Sequence, residues 1–199
     1  ASQLLDIDRE HLAVDAKDGA FNFATAYDLK MQKDLVQGLH ERMPDAYFLA
    51  EETAGLLEHD EVSNELSAKM IYKETLAKEK PEWLFVIDPI DGTSNFMFDL
   101  KQSCVSVALF HHQEPFYALV VQPWLGENYE YWEGQAYLNE QVLQVDPEAG
   151  IAEGLVGFGT SPYAPELDKA FWNKIIAVFQ RSVDIRRMGA AAVDLCNVA

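Results

Sequence analysis

Trp83-Leu84-Phe85-Val86-Ile87 is an apolar run that stops abruptly at Asp88-Pro89-Ile90-Asp91-Gly92-Thr93-Ser94-Asn95-Phe96. A short apolar run of aromatic and β-branched residues, closed by turn-forming residues, reads as a buried strand, and the chain has to fold around it. The strand delivers two carboxylates, Asp88 and Asp91, to one end. Two acids three residues apart at the end of a buried strand do not sit comfortably beside a third acid without a cation. Pro89 fixes φ and removes a donor, which favours a tight turn over continued pairing. Gly92 permits close backbone approach or unusual dihedrals. A helix starting near Thr93 turns its unpaired N–H groups toward an anion. The stretch thus joins hard oxygen ligands suited to Mg2+ with a phosphate cradle. The plainer reading is a turn after a strand, because Asp, Pro and Gly dominate turns.

A second strand end weighs against the plain turn. Ala46-Tyr47-Phe48-Leu49-Ala50 reads as a strand that ends on Glu51 and Glu52. Alone, those acids would be a solvated strand end. Two strand ends that each deposit acids are harder to explain as accidental turns.

The remaining elements follow from periodicity. Residues 26–43 place Leu29, Leu35, Val36, Leu39 and Met43 at helical spacing, and Pro44 ends the helix. Residues 54–80 are polar with interspersed apolar positions and read as one or two surface helices or a mobile flap. Strands are expected at Val105–Phe110, 116–122, Glu127–Trp132 and Ala136–Leu138, forming an antiparallel meander. Beyond them come a strand at Leu155–Phe158, an amphipathic helix over 165–181 with Leu167, Phe171, Ile175, Ile176 and Phe179 on one side, a short strand at Val183–Arg186 and a small-residue helix from Gly189 to Val198. The class is α+β, with a boundary expected near 147/148.

Composition narrows the function. The chain of 199 residues has 33 acidic and 15 basic side chains, a formal charge of −18. That field repels nucleic-acid phosphates, whose binding depends on Lys and Arg. A phosphate ligand would have to be drawn in by local cations. No apolar run nears the roughly 20 residues that span a bilayer, and no signal peptide is visible. Cys104 and Cys196 have no CxxC partner, which fits reduced thiols and a cytoplasmic location better than structural zinc or a disulfide framework. His111-His112 reads as a surface turn; neighbours on a strand point to opposite faces, which argues against joint metal binding. Arg186-Arg187 reads as a solvated strand end, with a substrate anion or a partner subunit as alternatives. Trp124, Tyr129, Tyr131 and Trp132 read as sheet packing.

The nine residues Asp88 to Phe96, after the strand ending at Ile87, resemble the first signature of the inositol monophosphatase family, within the lithium-sensitive, Mg2+-dependent sugar phosphatases. Ala50-Glu51-Glu52 is similar to the family's Gly-Glu-Glu, and Thr25-Ala26-Tyr27-Asp28 to its Val-Thr-x-x-Asp element. Gly134 to Asn139 resembles its Gly-Ala-Phe-x-Asn turn, and Arg187 to Cys196 its Gly-Ser-Ala-Ala segment, so the resemblance runs from Lys17 to Ala199. It implies the layered α/β sandwich of the sugar-phosphatase type, with 1–147 as an N-terminal metal-binding part and 148–199 as the start of a C-terminal part.

The resemblance also implies roles. Glu51, Asp88 and the carbonyl of Ile90 would hold a first Mg2+, Asp88 and Asp91 a second, with Glu51 helping to hold a third. The amides of Gly92 and Thr93, with Asp91 beside them, would meet the phosphate. Thr93 and Glu51 would orient an attacking water, with Asp28 behind Thr93. Gly189 and Ala191 would line the sugar or polyol pocket. The implied ligand is a small phosphate ester, inositol monophosphate first; fructose-1,6-bisphosphatase activity and a non-catalytic binding or regulatory homologue are the alternatives. Family members are often homodimers. Two departures stand out. The 37 positions from Glu51 to Asp88 exceed the family's expected spacing. The family's Trp-Asp-x-x-Ala-Gly segment, with a further metal-binding Asp, would follow Ala199, so the chain is expected to be part of a full phosphatase, with a natural short homologue whose second metal site is impaired as the alternative, and in either case weak or inactive by itself.

Overall fold

The computed structural model describes residues 2–5, 14–16, 23–58, 62–160 and 169–198. A 3-10 turn at Ser2–Leu4 precedes an antiparallel pair, β1 (Val14–Ala16) and β2 (Phe23–Thr25). Helix α1 (Ala26–His40) leads to β3 (Tyr47–Ala50), three short helices α2 (Thr53–Glu58), α3 (Asn64–Ser67) and α4 (Lys73–Glu79), then β4 (Trp83–Asp91) and α5 (Thr93–Met97). Strands β5 (Cys104–His111), β6 (Glu114–Gln122), β7 (Glu127–Trp132), β8 (Gln135–Leu138) and β9 (Gln141–Val142) follow. The last elements are β10 (Leu155–Gly157), α6 (Lys169–Phe179), β11 (Asp184–Arg186) and α7 (Ala191–Cys196).

Strands β3 to β9 form one seven-stranded sheet in chain order. From β4 onward it is the expected antiparallel meander, but the edge pair β3–β4 is parallel. The parallel pairing follows from the connection: α2, α3 and α4 return the chain to the start of the sheet, as a crossover must. It puts the ends of β3 and β4 side by side, and with them Glu51 and Asp88.

The helix from Ala26 buries Asp28, Met31, Gln32 and Val36, whose spacings of three and four put them on one side, with Met31 and Val36 entering two different core clusters. Val36 joins Phe48, Phe85 and Leu109 in the main core, where the Phe48 and Phe85 rings stack at 5.5 Å. The stretch 54–80 departs from the surface-helix or flap expectation. Leu56, Leu66 and Met70 are buried in that same core, and Met70 makes a parallel bridge to Phe48. Its buried apolar positions fit no single amphipathic helix because they are divided between short helices and the bridge at Met70, while α4 buries none and is the surface helix expected.

The expected helix over 165–181 is present as α6; Leu167 lies outside the described residues. Ile176 and Phe179 on it are each 52% exposed. Strands β10 and β11 pair in parallel as a separate two-stranded sheet. No helix among the described residues is long and apolar enough to cross a membrane.

Candidate active site

Strand β4 does not end at Ile87. It runs on to Asp91, and its pairing with β5 shifts between Asp88 and Asp91: Asp88 lies opposite Ser106, and Asp91 opposite Cys104. Two residues, Pro89 and Ile90, therefore face the single residue Val105, which defines a β-bulge. Pro89 was expected to make a tight turn. It is instead accommodated in the bulge, where its missing N–H breaks no ladder bond.

The bulge decides the chemistry. In a regular strand, residues three apart point to opposite faces. One extra residue restores the match, so Asp88 and Asp91 share the face of their partners Ser106 and Cys104. Ile90 N–H donates to Asp88 Oδ1 at 3.1 Å, which fixes that carboxylate within the bulge. Ile90 itself is buried with Met31, Phe96 and Val105.

Glu51 follows β3, and its amide donates to the Ile87 carbonyl at 3.2 Å, extending the parallel ladder to the doorstep of Asp88. Burial pushes the Asp88 carboxyl up to about 8, helped by the charges of Glu51 and Asp91 and by a hydrogen bond to the Glu51 carboxyl. Burial also pushes Asp91 upward, against the pull of the Ala192 and Ala191 amides. Asp91 Oδ2 accepts from the Ala192 amide at 2.6 Å and from Cys104 Sγ at 3.7 Å. Burial likewise raises the Cys104 thiol, which keeps it protonated and inert.

Gly92 caps α5 in the left-handed region, at φ +85°. A Cβ there would lie 3.1 Å from each of Ala190 Cβ, the Gln102 carbonyl and the Gly189 carbonyl. The signature strand and the Gly189–Ala191 segment thus touch through a position only glycine fills. The first amide of α5 to find an in-helix acceptor is that of Phe96, on the Gly92 carbonyl. The amides of Gly92 and Thr93 precede it, in the part of a helix that lacks helical acceptors.

Thr93 Oγ1 lies 3.4 Å from Asp28 Oδ1 and 3.2 Å from the Ile90 carbonyl. Asp28 is 2% exposed, on the first turn of α1. Asn95 Nδ2 donates to the carbonyls of Gln102 and Met188, both at 2.7 Å, and so ties α5 to the segment before Gly189. Ser103 Oγ donates to the Gly92 carbonyl at 2.8 Å.

A cleft of about 400 Å3 carries Glu51 and Asp88, and its far wall is Ile71, Tyr72, Lys73 and Glu74. The segment after Glu51 therefore both fills the core and lines the cleft beside Glu51 and Asp88. Of the residues expected from the sequence, Glu51, Asp88, Asp91, Gly92 and Thr93 lie at the strand ends, Asp28 lies behind Thr93, the Gly189 carbonyl is against Gly92, and the Ala191 amide is turned to Asp91 rather than to Gly92. Sequence reasoning missed Asn95 as a tether, Ser103, and the Ala192 amide. Asn95 stood within the signature from Asp88 to Phe96 and Ala192 within the segment from Arg187 to Cys196; Ser103 carries no sequence signal, since it acts through a pairing with the distant Gly92 carbonyl. Glu51, Asp88, Asp91 and the carbonyl of Ile90 offer only oxygen donors, the ligand type that suits a hard divalent cation. Unneutralised, they carry the cost visible in the raised Asp88.

His111 and His112 also differ from expectation. His112 does lie in a turn, but the rings do not point to opposite faces; their centroids are 4.2 Å apart. Arg186 pairs with Asp184, and Arg187 Nε donates to Thr160 Oγ1 at 2.9 Å. Tyr129 is buried in the sheet, and Trp132 packs edge-on against Phe116.

Similar proteins share this frame. The family model of the inositol monophosphatase family matches residues 2–199. A Nus factor SuhB from Xylella fastidiosa is 32% identical over 152 residues, covering 68% of this chain and 55% of that protein. Inositol monophosphatase 1 of Homo sapiens is 26% identical over 196 residues, covering 96% of this chain and 64% of that protein. The solved structure of an IMPase from Thermotoga maritima superposes with a TM-score of 0.76 at 27% identity, covering 98% of this chain and 66% of that one. The chain thus spans 55% to 64% of the length of these two curated relatives. A family match from residue 2 to residue 199, on a fold shared with a solved IMPase, places this chain in the inositol monophosphatase family.

Proposed function

We propose that the chain supplies the metal-binding part of a Mg2+-dependent phosphate monoester hydrolase acting on a small polyol or sugar phosphate, with inositol monophosphate as the first substrate. The observation that carries this reading is the bulge that turns Asp88 and Asp91 to one face beside Glu51. Glu51, Asp88, Asp91 and the Ile90 carbonyl would hold two or three Mg2+ ions. Bound Mg2+ supplies Lewis acidity, making water a stronger nucleophile and offsetting phosphate charge. Thr93 Oγ1, within reach of Asp28, holds a proton and helps Glu51 to orient water in line with the phosphorus. The Gly92 and Thr93 amides steady the phosphate, and Gly189 and Ala191 border the alcohol it leaves. Fructose-1,6-bisphosphate is the alternative substrate, since these groups contact the phosphate and the ions rather than the sugar.

The separate β10–β11 sheet and the half-exposed Ile176 and Phe179 support the division into 1–147 and 148–199. A second reading, a binding or regulatory homologue, is favoured by the relative named Nus factor SuhB. Phosphate release from inositol monophosphate, measured with and without Mg2+ for the chain and for Asp88→Asn, separates the readings. Mg2+-dependent release that Asp88→Asn abolishes supports hydrolysis. Equal release by both proteins rejects the site.

A further inference from the structure

The geometry points to a second metal site, for a borderline transition ion such as Zn2+ or Ni2+, formed by Glu82, His111 and His112 at the end of the sheet away from the acid cleft. Each of the three offers one ligand atom, and these atoms lie within 4.8 Å of one another. Among the described residues, this is the group of three that comes so close. Glu82 immediately precedes β4, whereas Asp88 lies six residues further along it, roughly 20 Å at the rise of a strand. The two sites therefore do not share ligands.

The backbone explains the convergence. His111 ends β5 and pairs in register with Trp83, so both side chains leave the sheet on one face. Its ring stacks on Trp83 at 4.0 Å with 19° between planes. His112 and Gln113 form a two-residue hairpin loop with φ of +49° and +70°. Positive φ at both positions is the geometry of the hairpin turn whose twist matches the strands, usually built from Asn and Gly. That turn takes His112 out of the strand's alternation and brings its ring beside that of His111. The His112 amide donates to the Glu82 carbonyl at 2.8 Å, which ties the turn to the start of β4. Glu82 Oε1 then reaches to 3.6 Å from His111 Nε2. Stacking on Trp83 accounts for the placement of His111 by itself. It does not account for Glu82 and His112 closing on the same point.

The donor set selects the ion. Imidazoles suit Zn2+, Ni2+ and Cu2+, whereas Mg2+ prefers oxygen ligands throughout. Ligand atoms around a tetrahedral zinc sit roughly 3.4 Å apart at bonds of about 2.0–2.1 Å. Small side-chain rotations close the gap, and Glu82 and His112 are exposed and able to make them. Three protein ligands leave a position for water or for a group from another molecule.

The test is calorimetric titration of ZnCl2 into the chain in excess Mg2+, with three variants. Asn tolerates positive φ, so His112→Asn keeps the turn and removes only the imidazole. The expected result is one Zn2+ per chain, with affinity lowered at least about tenfold in His112→Asn and in Glu82→Gln, and unchanged in Asp88→Asn. Cu2+ electron paramagnetic resonance should show hyperfine structure from two nitrogens in the chain and one in His112→Asn. Loss of the Zn2+ in Asp88→Asn would place the ion in the acid cleft and overturn the proposal. Equal Zn2+ affinity in the chain, His112→Asn and Glu82→Gln, or no Zn2+ bound by the chain, would overturn it as well.

Discussion

The Ala192 amide donates to Asp91 Oδ2 at 2.6 Å, joining residues 101 positions apart. Ala190, the residue flanking α7, makes no side-chain capping bond. Asp91 does that work from another strand, satisfying a helix amide that would lack a partner. One carboxylate is thus both a candidate metal ligand and the fastening for the last helix.

Removing that fastening has a measurable cost. Asp91→Ala and Asp91→Asn both remove the buried charge, but only Asn keeps an acceptor for the Ala192 amide, so the Ala variant is expected to be the less stable of the two by about 1 kcal/mol, the usual size of a lost cap. Urea midpoints at constant m-value measure both. Equal losses would mean that the contact carries no capping energy.

Asp88 makes stability depend on pH. Its carboxyl is raised from an ordinary 3.8 to about 8, so the folded chain holds this proton more tightly than the unfolded chain. Between those two values the folded state carries more protons, and stability falls as pH rises. Without divalent cations, the chain is expected to be more stable near pH 5 than near pH 8. The formal charge of −18 pushes the same way, but Asp88→Asn leaves most of it in place. The variant should therefore show a flatter slope in urea melts; an identical slope would contradict the assignment.

Gly92 and Gly126 separate backbone strain from crowding. Both have positive φ, but a Cβ at Gly126 would meet nothing within 4 Å. Gly126→Ala is expected to cost about 1–2 kcal/mol for conformation alone. Gly92→Ala adds contacts at 3.1 Å with backbone oxygens and should cost about 1–3 kcal/mol more. Thermal melts of the two variants check the difference, and equal costs would remove the close approach between β4 and the Gly189 segment.

The part of the stretch after Glu51 that carries Leu56, Leu66 and Met70 should behave as core. Leu66→Ala is expected to cost about 2–5 kcal/mol. Leu125, which is 65% exposed, should change stability by no more than about 0.5 kcal/mol when replaced by Ala. A small effect at Leu66 would return this segment to a loosely attached flap.

Much of this was legible in the sequence. The 83–87 run, the helix from Ala26 and the meander from Val105 to Leu138 were marked by apolar periodicity, because each buries a whole face. The acids at Glu51, Asp88 and Asp91 were marked by type and position. Three things were not legible. Pro89 and Gly92 look like a turn, yet the bulge is set by pairing with β5, which lies in no local pattern. Residues 54–80 bury Leu56, Leu66 and Met70 at spacings that fit no single period. His112 left the strand's alternation through a turn that its residue type does not announce. In each case the deciding contact is with a distant segment.

Glu51, Asp88 and Asp91 are expected to hold a divalent cation. Calorimetric titration of Mg2+ into the chain and into Asp88→Asn tests it most directly, because Mg2+ ignores the histidine cluster. Saturable Mg2+ binding by the chain is expected, with protons released near pH 7 as the raised Asp88 ionises. Affinity should be at least about tenfold lower, and the proton release lost, in Asp88→Asn. Equal Mg2+ binding by the two proteins, or none by either, would contradict it.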